Sequence, residues 1–289
     1  MKTLKKLLLI LAFCCTTTLT QAQPFPTDWF KPFPPFRIAG NLYYVGTRDL
    51  ASYLIVTTQG NILINSDFDE NVPLIKANIK TLGFRYSDTK ILLISQAHID
   101  HASGSALIKK QTGAKYEVMA EDQSVIETGG KTDYLYNNRP DMWFKPTTVD
   151  HTLQDGEPVT LGDTTLVAHL TPGHTKGCTT WTMQVKENGK PLQVVIVGGV
   201  TINPGTRLTH NDQYPTILED YKKTWRILKS LPCDVFLGGH GIYFNLIEKY
   251  AALQKGVKHP FIDPQGYQKF IAEKERDFQN EVKSQSNVG

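Results

Sequence analysis

Short apolar runs separated by turn residues dominate the first third of the chain. Residues 41–45, 53–56 and 61–64 read as strands, with Gly46 and the pair Gln59-Gly60 between them. Val72, Ile75, Ile79 and Leu82 then recur at helical spacing, and Gly83 supplies the stop. Residues 91–95 form a continuous apolar run, the pattern of a strand buried on both faces. Residues 105–111 read as a short helix, 116–120 as a strand, and Gln123–Thr128 as a helix stopped by Gly129-Gly130.

The second half repeats this pattern. Strands are expected at 165–170, 179–185, 192–197 and 234–237. Ile217, Tyr221, Trp225 and Leu228 lie on one stripe of a helix over 217–231, and a further helix over 267–278 carries Tyr267, Phe270, Ile271 and Phe278. There is no short repeat and no low-complexity segment. Strand clusters punctuated by helices in both halves predict an α/β protein of stacked sheets covered by helices.

The first residues fall outside this pattern. Lys2, Lys5 and Lys6 precede a short apolar stretch ending at Phe13, and Thr20-Gln21-Ala22 ends in a small residue. This is the form of a secretory signal peptide over residues 1–22, cleaved after Ala22, which leaves one domain over 23–289. The apolar stretch is too short to span a bilayer, and the bulky Phe13 argues against acylation of Cys14. The expected destination is the periplasm or the medium. Removing three lysines from 31 basic residues leaves 28, against 28 acidic residues, so the formal +3 falls to zero. Such a balance gives no electrostatic reason to bind nucleic acid. Cys178 and Cys233 remain after cleavage; an oxidising compartment permits a disulfide between them, and two buried free thiols fit equally well.

The chemistry concentrates in Gln96-Ala97-His98-Ile99-Asp100-His101, directly after the buried strand. On an extended segment, alternation places Gln96, His98 and Asp100 on one side, with His101 following as the chain turns. Imidazoles, a carboxylate and an amide at one strand exit suit zinc. His174 in Pro172-Gly173-His174-Thr175 and His240 in Gly238-Gly239-His240-Gly241 also follow expected strands, each beside glycine that lets the backbone bend. Three strand exits can converge on one point.

These motifs resemble those of the metallo-β-lactamase superfamily, and of its subclass B3 in particular. The family signature is His-x-His-x-Asp-His, then Gly-His, then a late His. Here it reads Gln96-Ala97-His98-Ile99-Asp100-His101, then Gly173-His174, then His240, within a resemblance over residues 41–249. The resemblance implies an αββα sandwich with the metal site at one edge of the sheets. It implies up to two zinc ions, one held by Gln96, His98 and His174, the other by Asp100, His101 and His240. It further implies hydrolysis of the β-lactam amide bond by a metal-held hydroxide. By the same resemblance Asp100 would be the catalytic residue that orients water and a small-molecule antibiotic the substrate, and a monomer is expected.

Three positions depart from the family. Gln96 replaces the usual first histidine, and a neutral amide oxygen is a weaker zinc donor. The Asp100, His101 and His240 site is therefore expected to be the tighter. Asn65 stands where the family usually has Asp, which supports the metal loop from behind. Near Gly198-Gly199, Val200-Thr201-Ile202-Asn203 replaces the usual carboxylate-binding serines, leaving Thr201, Asn203 or Arg207 to bind the substrate. Alternative functions are hydrolysis of a lactone or thioester on the same scaffold, and zinc binding with weak activity. His151, His169, His210 and His259 read as structural or surface residues. Trp143, Phe144 and the Phe-rich segment 25–36 are candidates to roof the site.

Overall fold

The computed structural model describes residues 25–286, so the expected signal peptide lies outside the described residues. The first sheet holds seven strands in sequence order. These are β1 (Phe36–Ala39), β2 (Leu42–Tyr44), β3 (Tyr53–Thr57), β4 (Gly60–Ile64), β5 (Thr89–Leu93), β6 (Lys115–Met119) and β7 (His151–Leu153). The first four pair antiparallel, and β4 to β7 pair in parallel. Parallel neighbours need crossovers. They are supplied by α1 (Val72–Thr81), by α2 (Ile99–Ala102) with α3 (Ser105–Thr112), and by α4 (Gln123–Thr128).

The second sheet runs β12-β11-β10-β9-β8. Its strands are β8 (Pro158–Leu161), β9 (Thr164–Leu170), β10 (Thr179–Glu187), β11 (Lys190–Val197) and β12 (Val235–Gly238). Helix α5 (Ile217–Ser230) makes the crossover to the parallel strand β12; α6 (Leu246–Gln254) and α7 (Pro264–Ser286) complete the chain.

Alternation decides which face of each strand packs where. In β4, Ile62 and Ile64 enter the core shared by the two sheets, and Leu63 points to the layer of α1, α3 and α4. In β5, Ile91 and Leu93 face the shared core while Leu92 faces the helices. On the other side Ile217, Tyr221, Trp225 and Leu228 of α5 and Tyr267, Phe270, Ile271 and Phe278 of α7 cover the second sheet. This is the expected αββα sandwich. Apolar burial on this scale is the main favourable term in folding.

Besides α2, four further elements escaped the periodicity. β1 is short with an irregular register, β7 has three residues, β8 is a four-residue edge strand, and α6 buries only Leu246 and Lys249. The three strands are too short to show a period, and α6 spreads its apolar residues around a nine-residue helix. Helix α7 also exceeds the expected 267–278. Asp263 caps its start, its Oδ1 accepting the Gly266 N–H at 2.8 Å, and helix-favouring polar residues extend it past Phe278.

Candidate metal centre

Strand β5 stops at Leu93 because the next carbonyls are taken by the other sheet. Ile94 O accepts Trp181 Nε1 at 3.1 Å, and Ser95 O accepts Thr179 N at 2.8 Å. Past Leu93 the chain bends at Ser95, Ala97 and His98, and His98 (φ −97°, ψ 160°) precedes α2. Strand alternation therefore does not carry the motif. Asp100 and His101 are delivered by the first turn of α2, which corrects the expected placement of Asp100 on an extended segment.

The structure brings the six expected side chains into two neighbouring groups. His98 Nδ1 lies 3.2 Å from His174 Nε2. Gln96 Oε1 is buried with no hydrogen-bond partner among the described residues. Gly199 backs this group: a Cβ there would sit 2.4 Å from His174 Cδ2 and 2.8 Å from Gln96 Oε1. In the second group His101 Nε2 lies 3.3 Å from His240 Nε2. Asp100 Oδ2 is 3.2 Å from the first and 3.4 Å from the second. The donor atoms of Asp100, His101 and His240 all fall within 4.8 Å of one another.

Ring nitrogens that face each other across 3.2 and 3.3 Å, beside an unpaired amide oxygen, fit a cation better than they fit each other. The outward nitrogens support this. His174 Nδ1 lies 2.6 Å from Thr201 O, which also accepts Tyr221 OH at 2.9 Å. His240 Nδ1 lies 3.1 Å from Asp49 Oδ2, and His98 Nε2 lies 3.5 Å from Asp133 Oδ2. At His174 and His240 an acceptor at the far nitrogen can hold a proton there and turn the inner nitrogen toward metal, whereas His98 Nε2 and His101 Nδ1 have no hydrogen-bond partner among the described residues.

The electrostatics divide: burial favours the neutral ring at His174 and His101, whereas at His98 and His240 burial is outweighed by neighbouring carboxylates, which favour a positive charge there. Burial, reinforced by neighbouring His98, pushes the His174 pKa down to about 3, so this ring is neutral. Burial likewise lowers His101. Burial would raise Asp100, but His101 and His240 outweigh it and hold the carboxyl well below its usual range. For His240 burial is overcome by the bonds to Asp100 and Asp49, which raise its pKa to about 9.

The centre opens into a cleft of about 280 Å³. Phe25, Trp29, Tyr136, Met142 and Tyr243 form apolar walls, and Thr201 and Asn203 line it with polar groups. Arg207 is exposed and is not among the lining residues. The expected aromatic roof divides: Phe25 and Trp29 border this cleft, whereas Trp143 and Phe144 line an adjacent pocket with Phe30 and Phe68.

The remaining histidines have partners of their own or lie at the surface. His169 Nε2 lies 2.8 Å from Thr182 Oγ1, His151 Nε2 lies 2.6 Å from Glu157 Oε1, His259 Nδ1 is 3.8 Å from Glu187 Oε1, and His210 is exposed. Cys178 and Cys233 are free thiols. The Cys178 Sγ accepts Gly199 N at 2.9 Å and so packs behind the first group.

Sequence reasoning missed the supporting carboxylates. Asp49 and Asp133 stand behind His240 and His98. Asp122 accepts Ala97 N at 3.0 Å, Thr175 Oγ1 at 2.8 Å and Gly177 N at 2.8 Å, joining the two loops that carry the first group. No local signal marks these three, since only the fold brings them to their partners. Asn65 proves informative in place. Its Oδ1 accepts Ser95 N at 2.8 Å and Ser95 Oγ at 2.9 Å, while its Nδ2 donates to Ala51 O at 2.9 Å. A carboxylate could not make that last bond.

Comparison with known proteins agrees with this geometry. A match to the metallo-β-lactamase superfamily covers residues 46–240. The native FEZ-1 metallo-β-lactamase of Legionella gormanii is 60% identical, with a TM-score of 0.89 over 91% of this chain and 99% of that one. GOB-18 of Elizabethkingia meningoseptica is 39% identical (TM-score 0.85), over 93% of this chain and 99% of that one. BJP-1 of Bradyrhizobium japonicum, a subclass B3 enzyme, is 36% identical (TM-score 0.85), over 91% and 98%. A probable metallo-hydrolase of Burkholderia pseudomallei is 30% identical over 105 residues, 36% of this chain and 34% of that protein. The chain belongs to the metallo-β-lactamase superfamily, and its solved neighbours include subclass B3 enzymes.

Proposed function

We propose that the protein is a zinc-dependent β-lactam hydrolase of the B3 type. The observation that carries this reading is the convergence of Gln96, His98 and His174 beside Asp100, His101 and His240 at the floor of one cleft. Support for the substrate comes from FEZ-1, a metallo-β-lactamase that shares 60% of its residues with this chain and is spanned by it almost completely.

Gln96, His98 and His174 would hold one zinc and Asp100, His101 and His240 a second. Bound there, zinc supplies Lewis acidity and makes hydroxide available near neutral pH. The chain's own residues do the rest. Asp100 stays ionised and can accept a hydrogen bond from attacking water. Thr201 and Asn203 can donate hydrogen bonds to the substrate carboxylate, a role that Val200 (2% exposed) cannot share. Phe25, Trp29 and Tyr136 hold the bicyclic body and exclude bulk water. We further assign residues 1–22 as a signal peptide, the location as periplasmic or secreted, and the working state as a monomer. Among the described residues no helix is long and apolar enough to cross a membrane.

The test is turnover of a carbapenem, a cephalosporin and a simple lactone, with and without chelator. Lactam hydrolysis that chelation abolishes and added zinc restores is the expected result. Lactone turnover without lactam turnover overturns the substrate, and no turnover by the zinc-loaded protein overturns the activity.

A further inference from the structure

One carboxylate behind the metal centre also holds the wall of the cleft. Asp49 Oδ2 accepts Trp29 Nε1 at 3.0 Å and faces His240 Nδ1 at 3.1 Å. Its other oxygen accepts Ile242 N at 2.9 Å, and its backbone carbonyl accepts Gly241 N at 2.6 Å. Asp49 thus grips residues 240–242 at three points and spends its shared oxygen on an indole from elsewhere. That indole lies 5.4 Å from the His240 ring.

Trp29 belongs to the segment 25–33, which precedes β1 and borders the cleft. Phe25, Trp29 and Phe30 pack on Phe68 with ring centres 5.0, 6.3 and 4.9 Å away, and Asn71 Nδ2 donates to Trp29 O at 2.9 Å. Lys31 O accepts Arg48 N at 2.9 Å, Asp28 pairs with Arg48, and the buried Phe33 anchors the end of the segment in the core. Residues 25–31 carry no buried side chain, so this part of the wall can open locally at less cost than the core.

We propose that Asp49 is a positioning residue that couples docking of the segment 25–33, through the Trp29 N–H, to zinc affinity at the Asp100, His101 and His240 site. The inference rests on the metal reading given above. Trp29 fixes the plane of the carboxylate and covers it from water. Both effects strengthen the bond that orients His240. A metal on Nε2 draws electron density from the ring and makes Nδ1–H a better donor, which tightens the same carboxylate. Coupling of this kind is reciprocal: what the docked wall adds to metal affinity, metal returns to the wall. If Trp29 instead served only as packing, an isosteric aromatic lacking the N–H would replace it without effect on the metal.

The experiment uses the full protein as Trp29→Phe, Asp49→Asn, the double variant and Lys31→Ala, which removes only an exposed pair with Asp28 inside the segment and leaves its docking contacts and Asp49 in place. Zinc affinity is read by competition with a chromogenic chelator. Amide hydrogen exchange of residues 25–33 is read with and without zinc. Asp49→Asn should weaken the tighter site by about ten- to a hundredfold. Trp29→Phe should weaken it by roughly fivefold, the scale of one hydrogen bond. The double variant should be no weaker than Asp49→Asn alone, because the two act on one bond. Lys31→Ala should bind zinc as the parent does. In the parent, zinc should slow exchange of the segment, and in Asp49→Asn it should not. Additive losses, an unchanged Trp29→Phe affinity, a Lys31→Ala loss as large as that of Trp29→Phe, or exchange indifferent to zinc each overturn the coupling. Absence of zinc binding by the parent protein overturns the metal reading itself.

Discussion

Gln96 is the only amide proposed as a ligand on either ion. Its carbonyl oxygen is buried and unpartnered among the described residues, with Gly199 packed beside it. An amide oxygen gives zinc less charge than an imidazole nitrogen. Zinc should therefore fill the Asp100, His101 and His240 site first, and Gln96→His should tighten the other site. Metal titration followed by anomalous scattering checks both; full occupancy beside Gln96 at one equivalent contradicts the order. Asn65 supports a second prediction. Its amide joins Ser95, next to Gln96, to Ala51, whose own N–H donates to Gly239 O at 3.0 Å, next to His240. Although Asp is the usual family residue here, Asn65→Asp places a carboxylate against the Ala51 carbonyl. It should cost about 1–3 kcal/mol in urea denaturation and weaken zinc binding at both sites. The proposed ligands were legible because histidines beside glycine at strand exits stand out in a sequence. Asp49 was not, because its partner His240 lies 191 residues away and nothing around it is unusual.

Among the elements, the loop after β6 contributes more than its sequence suggests. Asp122 sits there with three donors from the two loops that carry Gln96, His98 and His174. Burial still pushes its pKa up to about 6 against those bonds. Asp122→Ala would leave three buried donors unpaired. Each costs about 1–3 kcal/mol, so a large drop in melting temperature is expected, together with weaker zinc at the Gln96 site. Differential scanning calorimetry of the zinc-free and loaded variant separates the two effects. Long strands and amphipathic helices such as α5 declared themselves through their period. The short α2 did not, because four residues do not complete a repeat, and so Asp100 was placed on a strand when a helix carries it.

At the level of the whole molecule, the last helix ties the second sheet to α6. Asp263 caps α7, and Lys249 Nζ of α6 lies 2.8 Å from its Oδ2. Burial raises the Asp263 pKa, but the Lys249 bond and the Gly266 N–H outweigh it and hold the group below its usual range. Its folded value lies below its unfolded one, so the stabilisation is present above about pH 4 and is lost as pH falls through the folded value. Asp263→Ala should cost about 1–2 kcal/mol at pH 7, and the gap to the parent should narrow at pH 3; urea midpoints at both pH values test this. The two-layer plan was visible in the alternation of strands and helices, while the pairing of one half against the other was not. That pairing gives the metal a second meaning. The facing histidines are separated by 76 residues in one group and 139 in the other, and Cys178 and Cys233 are free. Each proposed ion would close a long loop between the halves of the sandwich, as a disulfide would. Starving such a protein of zinc removes its rivets as well as its reagent, and the unriveted seam is where a protease would begin.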